Sequence, residues 1–363
     1  MIVILGTGIV GLFSALKLLK NGKKVKLIDI FKVKGKATNA SVGMLAPLIE
    51  AKPYERELFD LMIDSKEIWD KFLKKKEFIT QTKLKKNASL LVANNKDDEE
   101  RIIFKRRFFK QLGFETQILD SKTTLEIEPN LNSNIYCSLL CEKHNQVEPL
   151  PLIKYLFEQI KKMGGEVEEF NKIENFSFSN GKLRIQDSYY EAEKIVIACG
   201  VWSAKLLEKS IGITFPTRPI KGISMLFKTD KKLFSNNIWF RNIYLAPRDS
   251  NFLAVGATED EKGFDDSVTL DEIHYITKSL WEHLPEIEKL KFQDIFSGLR
   301  SGVIDGSPII GNLKNNKNII CAFGHFRHGI LLAPVTAEIV YNYVCGSKIK
   351  ENFDFFSPNR FNL

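Results

Sequence analysis

The sequence predicts an α/β fold (α+β overall), in which a nucleotide-binding domain with a parallel sheet is joined to a second domain built on a mostly antiparallel sheet. Three observations favour it. A glycine-rich turn follows a short apolar run at the N-terminus, a second apolar run occupies residues 194–203, and several segments between residues 219 and 259 alternate apolar and polar side chains. The length of 363 residues exceeds that of an ordinary single core and favours two domains.

The first eleven residues have the features of a Rossmann-like nucleotide-binding turn. The apolar run IVIL at residues 2–5 suits a buried parallel strand, and Gly6, Gly8 and Gly11 then form the pattern G-x-G-x-x-G. The first glycine permits a tight turn, the second lets a phosphate approach the backbone, and the third lets a helix pack closely on the strand. The amides at the N-terminus of that helix would point at a pyrophosphate.

The segment after this turn supplies an acid where a ribose would be bound. The predicted helix ends at Asn21-Gly22, a good C-cap, and the strand at residues 24–30 brings Asp29 about 20 residues after the glycines. A carboxylate there would hold the two ribose hydroxyls, and it disfavours a 2′-phosphate. It does not distinguish FAD from NAD.

Two later segments favour FAD. Residues 37–47 (ATNASVGMLAP) are small and include a glycine, so their backbone would be able to lie close along a long cofactor. Residues 194–203 (KIVIACGVWS) form an apolar strand that ends in Cys199-Gly200, followed by Trp202. The same strand is also typical of a plain buried edge of a sheet.

The order of the predicted elements divides the chain into alternating segments. Residues 54–80 and 270–290 have helical spacing of apolar side chains, whereas residues 82–140 mix short strand-like runs with a basic helix. Because parallel α/β pieces are interrupted twice by β-rich pieces, we predict a discontinuous FAD-binding domain. We assign residues 1–80, 146–214 and 296–363 to the FAD-binding domain and residues 81–145 and 215–295 to the substrate-binding domain.

Composition excludes several classes of protein. The net charge of +8 would attract nucleic acid, but the basic stretches alternate with apolar residues like solvated helix faces, so nucleic acid is not an expected partner. The chain has no uninterrupted apolar stretch of about 20 residues, so no membrane span is expected. Five cysteines at irregular spacing, with Cys137 and Cys141 as neighbours on one helix face, indicate reduced thiols and a cytoplasmic protein.

With these pieces in order, the chain resembles the D-amino-acid oxidase superfamily of FAD-dependent amine oxidases, and within it the bacterial glycine oxidases of thiamine biosynthesis. The resemblance covers nearly the whole chain and rests on the segments GTGIVG, ASVGMLAP, VEP, ACGVWS, PIKG, IYLAPRD, VGATEDEKGFD, GLRSGVIDGSPIIG and GHFRHGILLAP. The last two are the most specific. The resemblance implies that the flavin performs the chemistry, so that no side chain is an obligatory catalyst.

The resemblance implies three substrate-binding side chains. Arg300 of SGLRSG would bind the substrate carboxylate, Tyr244 of NIYLAP would donate its hydroxyl to the same group, and Arg327 would line the substrate side of the flavin. A planar guanidinium binds a carboxylate through two parallel hydrogen bonds, which also fixes the direction of the Cα–H bond. Taken alone, Arg300 is also compatible with a surface ion pair, and Tyr244 with a strand aromatic that covers the core.

The resemblance also implies a set of FAD-contacting residues spread over the chain. Ile173, just after a predicted strand, would contact the adenine, and residues 329–331 would approach the flavin ring by their backbone. The binding is expected to be non-covalent, because the C-terminal cysteine segment of covalent sarcosine oxidases has no match here. The full set is Gly6, Gly8, Ile9, Val10, Gly11, Asp29, Ser41, Gly43, Met44, Leu45, Ile173, Cys199, Gly200, Trp202, Gly324, Arg327, His328, Gly329, Ile330 and Leu331.

Two histidines and an arginine precede an apolar helix in the segment GHFRHGILLAP at residues 324–334. His325 and His328 are three apart with no nearby set of carboxylates or cysteines, so no metal site is predicted. The flavin edge is instead their expected partner. Pro334 would lie in the first turn of the helix, whose N-terminus would place partial positive charge near the flavin C2 carbonyl.

Four positions depart from the pattern of the family. Ile223 stands where Glu or Gln is common, and Glu259 stands where other members carry a hydrophobe. Val42 replaces a small residue and Ser301 replaces a proline. These departures leave the flavin assignment unchanged but leave the identity of the amine open.

We therefore predict FAD-dependent oxidative deamination of glycine or another small amino acid or amine. A hydride would pass from Cα to flavin N5 to give an imine and, with oxygen, hydrogen peroxide, and the product would feed thiamine thiazole synthesis. The alternatives are an acceptor-linked dehydrogenase of D-amino acids or secondary amines, a flavin oxidase acting on a modified tRNA side chain, and a non-catalytic flavin-binding module. The sequence leaves open which electron acceptor is used and whether the protein forms a homo-oligomer.

Overall fold

The computed structural model describes residues 1–30, 37–348 and 351–362. In chain order the strands are β1 (Ile2–Leu5), β2 (Val25–Ile30), β3 (Met44–Leu45), β4 (Lys85–Lys86), β5 (Ser89–Ala93), β6 (Gln117–Asp120), β7 (Cys137–Cys141), β8 (Asn145–Gln146), β9 (Glu166–Phe170), β10 (Ser177–Ser179), β11 (Lys182–Ile185), β12 (Ser188–Glu191), β13 (Lys194–Ile197), β14 (Thr217–Lys228), β15 (Asn237–Trp239), β16 (Tyr244–Arg248), β17 (Phe252–Gly256), β18 (Lys291–Val303), β19 (Ile309–Asn312) and β20 (Ile319–Phe323). The α-helices are α1 (Ile9–Lys20), α2 (Pro47–Glu50), α3 (Arg56–Phe72), α4 (Lys76–Thr82), α5 (Lys96–Gln111), α6 (Ser121–Ile127), α7 (Pro149–Lys162), α8 (Ser203–Ile211), α9 (Leu270–His283) and α10 (Gly329–Cys345).

The predicted parallel sheet is confirmed as a six-stranded sheet in the order β19-β20-β13-β1-β2-β9. Its neighbouring strands are parallel except for β19, which pairs antiparallel with β20. Side chains alternate along β1, so that Ile2 and Ile4 pack in the core with α1 and α10, whereas Val3 and Leu5 pack in a second core with β11 and α8. Burial on both faces explains the continuous apolar run of the first strand.

The predicted second sheet is also confirmed. It has eight strands in the order β18-β14-β17-β16-β15-β5-β7-β6, and all neighbours are antiparallel except β15 and β5. Helix α9 packs on this sheet, where Ile276 and Leu280 share a core with Ile223 and Val255. Two three-stranded sheets, β10-β11-β12 and β3-β8-β4, complete the pairing of strands.

The helices pack mainly around the parallel sheet. Helix α1 lies against α7 and α10, and α3 lies against α10. The helical segment predicted at residues 54–80 is confirmed as α3 and α4, and the one at residues 270–290 is confirmed as α9 followed by a short 3-10 turn. Within the described ranges, no helix combines the length and the apolar character that a membrane span requires.

The expectation that Cys137 and Cys141 share a helix face is wrong. The segment CSLLC is strand β7, which pairs with β5 and β6 on its two sides. A spacing of four places two residues on one face of a strand as well as on one face of a helix, so the spacing alone does not separate the two structures. Both thiols are buried.

The expectation that Pro334 lies in the first turn of its helix is also wrong. Helix α10 begins at Gly329, and Pro334 lies inside it. A proline in a helix interior disturbs the hydrogen-bond ladder on the preceding turn. Near this proline the Val335 amide donates to Ser65 Oγ of helix α3 at 3.4 Å, and the Leu331 carbonyl accepts from Ser65 Oγ at 2.5 Å and from Trp69 Nε1 at 3.0 Å.

The division into two domains stays a prediction, but three predicted boundaries fall inside an element: 80/81 within α4, 145/146 within β8 and 295/296 within β18. Residue 296 lies within β18, which pairs with β14 along its whole length. The ladder runs from the pair Thr217 and Val303 to the pair Lys228 and Lys291. The strand that carries Arg300 is therefore continuous with the eight-stranded sheet.

Candidate active site

The three glycines of the N-terminal turn serve different purposes. Gly6 has φ +111°, and a Cβ atom there would overlap the carbonyl oxygen of Ala198. A Cβ atom on Gly11 would overlap the Gly6 carbonyl, so both positions require glycine for packing of the protein itself. Among the described residues, a Cβ atom on Gly8 would meet only Thr38 Oγ1, at 4.0 Å. The second glycine thus leaves open space of the kind that an approaching phosphate needs.

Asp29 lies beside this turn, near the end of β2. Its Oδ2 accepts hydrogen bonds from the Thr7 amide at 2.7 Å and from the Thr7 hydroxyl, and its Oδ1 accepts from the Ile30 amide at 2.8 Å. These bonds hold a half-buried carboxylate next to the glycine turn. The position suits a ribose partner, and that role stays a prediction.

The predicted flavin loop around residues 41–45 is fixed by contacts to the small sheet β3-β8-β4 and to the eight-stranded sheet. Gly43 has φ +83°, and a Cβ atom there would overlap the carbonyl oxygen of Val147. The Val147 amide donates to the Gly43 carbonyl at 2.9 Å, and Met44–Leu45 forms strand β3 against β8. From the other side, Ser224 Oγ donates to the Ala40 carbonyl at 2.9 Å. The loop therefore has a defined backbone path between the two sheets.

A cavity of about 600 Å³ brings this loop together with the predicted substrate residues. Its wall includes residues from β15, β16, β18 and α9, together with the segment that follows β17. The sequence-predicted residues that line it are Ser41, Gly43, Met44, Tyr244, Arg300 and Arg327. The structure thus places all three predicted substrate-binding side chains around one space.

Arg300 lies on β18 with its guanidinium held by backbone carbonyls. Its Nη1 donates to the Thr258 carbonyl at 3.0 Å and to the Lys221 carbonyl at 3.4 Å. The guanidinium lies against Gly222, where a Cβ atom would overlap it. Carbonyl acceptors fix the orientation of an arginine without neutralising its charge, so Arg300 stays a cation with donors available for an anion.

Tyr244 begins strand β16 and lies beside this arginine. Its ring covers Gly256, its partner in the ladder, and packs on Trp239 with ring centroids 5.0 Å apart. Burial raises the pKa of the Tyr244 hydroxyl, and the positive charge of Arg300 opposes this shift. The hydroxyl is protonated at neutral pH and therefore has a proton to donate, and its hydrogen bond to a substrate anion stays a prediction.

Arg327 has a different environment, because carboxylates already surround it. Its Nε lies 3.1 Å from Glu50 Oε2, and its Nη1 lies 3.7 Å from Glu259 Oε2. The negative charge of Glu50 raises the pKa of Arg327. Burial alone would raise the pKa of the Glu50 carboxyl, but the positive charge of Arg327 outweighs burial and lowers that pKa below its usual range. The charge of Arg327 is therefore balanced by the protein, whereas Arg300 has no carboxylate partner within the described ranges.

The segment around Arg327 is a strained turn between β20 and α10. Gly324 has φ +81° and the aromatic Phe326 has φ +47°, which is unusual for a bulky residue. His325 and His328 are buried, and His325 Nε2 lies 2.9 Å from Thr336 Oγ1. Burial lowers the pKa of His325 to about 3 and that of His328 to about 4, so both rings are neutral at neutral pH.

Four other predicted flavin residues, Cys199, Gly200, Trp202 and Ile173, lie at three places. Cys199 follows the end of β13, where its Sγ donates to the Leu5 carbonyl at 3.2 Å, so residues 199–200 lie close to the glycine turn. Trp202 is about half exposed and packs on Phe264 with ring centroids 4.4 Å apart. Ile173 packs, partly buried, on the second core of the parallel sheet. Their contacts to a cofactor stay predictions.

The motifs did not identify two parts of this site. Glu50 is far from Arg327 in the chain, and no local spacing links them. Thr258 holds Arg300 through its backbone carbonyl, which no side-chain pattern can reveal. Among the described residues, no group of three or more His, Cys, Asp or Glu side chains is arranged to hold a metal ion.

Comparison with known proteins agrees with this geometry. The FAD-dependent oxidoreductase (DAO) family matches residues 1–342. A glycine oxidase from Bacillus licheniformis is 29% identical over 355 residues, covering 96% of this chain and 94% of that protein. The crystal structure of glycine oxidase from Geobacillus kaustophilus is similar with a TM-score of 0.90 at 24% identity, covering 98% of this chain and 97% of that one. Iminodiacetate oxidase from Chelativorans sp. BNC1 has a TM-score of 0.87 at 20% identity, covering 99% of each chain.

The residues present fit an FAD cofactor. The open space at Gly8 and the acid at the end of β2 suit its pyrophosphate and ribose, and the cavity wall carries a buried donor, Trp239 Nε1, without a hydrogen-bond partner in the described part of the chain. The match over residues 1–342 extends from the glycine turn through the turn that carries Arg327. The chain belongs to the family of FAD-dependent oxidoreductases.

Proposed function

We propose that the protein oxidises glycine or another small amino acid at the bond between Cα and nitrogen. The observation that carries this proposal is the contrast between the two arginines of the cavity. Among the described residues, Arg300 is bound by carbonyl oxygens, whereas Arg327 is paired with Glu50 and Glu259. A cation that is oriented but not neutralised is suited to the carboxylate of an amino acid.

The side chains would bind and orient the substrate. Arg300 would hold the carboxylate through two N–H donors, and the protonated Tyr244 hydroxyl would donate a third hydrogen bond to it. Bound FAD would supply the chemistry by accepting a hydride from Cα. Two fixed hydrogen bonds prevent rotation of the carboxylate, so the Cα–H bond points in one direction relative to the binding site.

Proton transfer in this proposal needs no histidine. The substrate amine must be neutral for its lone pair to assist loss of the hydride, and it can lose its proton before the reaction. His325 and His328 are buried and neutral, and His325 shares a hydrogen bond with Thr336, which suits a role in shaping the turn. The product would be an imine, which water hydrolyses to an oxo acid and ammonia.

We further propose that oxygen is the electron acceptor, giving hydrogen peroxide, and that the product feeds thiamine thiazole synthesis in the cytoplasm. The resemblance to glycine oxidases supports oxygen as the acceptor and thiamine thiazole synthesis as the fate of the product. The five cysteines support a cytoplasmic location, because none of them forms a disulfide and reduced thiols are typical of a reducing compartment.

The second candidate function is dehydrogenation of a larger or secondary amine. The structurally similar iminodiacetate oxidase is named for a secondary amine with two carboxylates, which favours this candidate. An oxidase of a modified tRNA side chain is the third candidate, and the net charge of +8 is its only support.

An anaerobic panel of amines tests these candidates on purified yellow protein. We expect glycine, sarcosine or a small D-amino acid to bleach the flavin absorbance, and oxygen to restore it with formation of hydrogen peroxide. Reduction by iminodiacetate or proline with slow reoxidation by oxygen would instead favour the dehydrogenase. Specific tRNA binding that weakens steeply with salt would favour the third candidate.

The state of the cofactor is tested by acid precipitation of the same protein. We expect intact FAD in the supernatant, because the binding is proposed to be non-covalent. Flavin that stays with the precipitated polypeptide would contradict non-covalent binding.

A further inference from the structure

A buried ion pair borders the cavity, outside the residues assigned to substrate or cofactor: Glu272 belongs to the cavity wall, and Lys221 lies behind it. Lys221 of β14 has a side-chain exposure of 0% and Glu272 of α9 has one of 2%, with Lys221 Nζ 2.7 Å from Glu272 Oε1. The same Nζ donates to the Ser267 carbonyl at 2.7 Å. A buried ion pair adds little net stability compared with well-packed apolar side chains. Its geometry therefore calls for a role other than stability.

The pair fixes the segment that connects β17 to α9. The Lys221 amide donates to the Asp260 carbonyl at 2.7 Å, and the Asp260 amide donates back to the Lys221 carbonyl at 2.9 Å. With the bonds from Nζ to Ser267 and Glu272, one lysine holds this segment at its beginning, near its end and at the first turn of α9. Between these points, residues 261–266 are exposed.

This segment carries the carbonyl that orients Arg300. The Thr258 carbonyl accepts from Arg300 Nη1 at 3.0 Å, and Thr258 Oγ1 accepts from the Ile223 amide at 3.1 Å. The Lys221 carbonyl accepts from the same Nη1 at 3.4 Å. Both acceptors of the guanidinium thus belong to the two chain segments that the Lys221 side chain ties together.

The ion pair also determines where α9 begins. Glu272 Oε2 accepts from the Thr269 amide at 2.8 Å and from the Thr269 hydroxyl at 3.0 Å, which forms a capping box at the N-terminus of the helix. His274, Tyr275 and Lys278 of this helix line the cavity. Movement of α9 would therefore displace one wall of the cavity.

We propose that Lys221 is a positioning residue for the substrate-carboxylate site, acting with Glu272 through Thr258 on Arg300. The inference rests on the proposed function, because it takes Arg300 as the group that binds the carboxylate. It adds that the affinity of Arg300 for a carboxylate depends on a lysine that touches neither substrate nor cofactor.

The test is the dissociation constant of glycolate, a carboxylate without an amine, measured on the holoenzyme by titration calorimetry. Lys221→Met removes the ion pair, Lys221→Arg keeps its charge, and Glu272→Gln keeps an acceptor for the helix cap. Lys262→Met alters an exposed lysine of the same segment and is the matched control. Arg300→Met reports on the carboxylate site itself.

We expect Lys221→Met and Glu272→Gln to weaken glycolate binding by about tenfold or more, Lys221→Arg to recover part of it, and Lys262→Met to have no effect. A role in stability alone would lower the thermal midpoint and leave the dissociation constant unchanged, which would overturn the inference. If Lys221→Met does not fold, Glu272→Gln and Lys221→Arg decide in the same way.

The parallel variant separates the two proposals. If Arg300→Met weakens glycolate binding and the Lys221 and Glu272 variants do not, the positioning role is wrong and the proposed function stands. If Arg300→Met leaves glycolate binding unchanged, the carboxylate role of Arg300 is wrong, and the positioning role is overturned with it.

Discussion

The guanidinium of Arg300 lies against the Cα atom of Gly222, so close that a methyl group on the glycine would overlap Cζ and both Nη atoms. The two residues lie on adjacent strands, where Arg300 pairs with Ile220 and Gly222 pairs with Gly298. They are diagonal neighbours on the sheet, within reach of a long side chain. A glycine at this position lets the planar group lie flat on the backbone.

Gly222→Ala tests this contact. The methyl group would push the guanidinium away from the Thr258 and Lys221 carbonyls, so we expect the Michaelis constant for glycine to rise by about tenfold or more. The backbone φ of Gly222 is not in the left-handed region, so the fold tolerates alanine. Steady-state kinetics with glycine measure the effect, and an unchanged FAD content and thermal midpoint are the controls. An unchanged Michaelis constant would show that displacement of the guanidinium does not weaken the binding of glycine.

Asp29→Ala tests the cofactor site. Loss of charge-assisted hydrogen bonds to a ribose removes about 1.5–3 kcal/mol, so FAD affinity should fall by about 10- to 150-fold. Titration of apoprotein with FAD measures it. Glu169→Ala is the matched control, because Glu169 is the exposed acid opposite Asp29 on the neighbouring strand. Equal loss in both variants, or no loss in Asp29→Ala, would argue against a ribose partner at Asp29.

His325 predicts a pH dependence of stability. Burial lowers its pKa to about 3, whereas in the unfolded chain it titrates near the ordinary value of about 6.5. As the pH falls below 6.5, His325 is therefore protonated in the unfolded state but stays neutral in the folded state. This residue alone should lower the free energy of unfolding by about 1.4 kcal/mol per pH unit between about pH 6 and 4.

Urea unfolding at several pH values measures that slope. His325→Gln keeps a hydrogen-bonding group near Thr336 Oγ1 but removes the titration, so its slope should be shallower than that of the wild type by about this amount. His274→Gln, which replaces an exposed histidine, is the matched control variant. A wild-type slope in His325→Gln would mean that other groups govern the acid sensitivity.

The sequence predicts the N-terminal turn well, because each glycine acts on its immediate surroundings. Gly6 and Gly11 touch atoms of the same strand–turn–helix unit or its neighbouring strand, and Asp29 lies at the end of the next strand. Such local requirements leave a fixed spacing in the sequence. The placement of Arg300 and Tyr244 in one cavity came instead from the family resemblance.

Other parts of the site depend on contacts between distant segments. The Glu50–Arg327 pair and the Lys221–Glu272 pair join elements that meet only when the sheets and helices pack. Pro334 was placed wrongly for a similar reason. Pro334 lies inside α10, where Ser65 and Trp69 from another helix donate to the nearby Leu331 carbonyl, a contact that no local sequence pattern shows.

The variant Arg300→Lys tests whether Arg300 binds the substrate carboxylate. Lysine keeps the positive charge but loses the planar fork, so the carboxylate would be bound loosely and the Cα–H bond poorly oriented. The measurement is the anaerobic rate of flavin reduction by glycine, compared with that by an amine without a carboxylate. We expect the rate with glycine to fall by about 10²-fold or more and the other rate to change little. Equal rates with glycine in the variant and the wild type would contradict the account and would assign the carboxylate to another group.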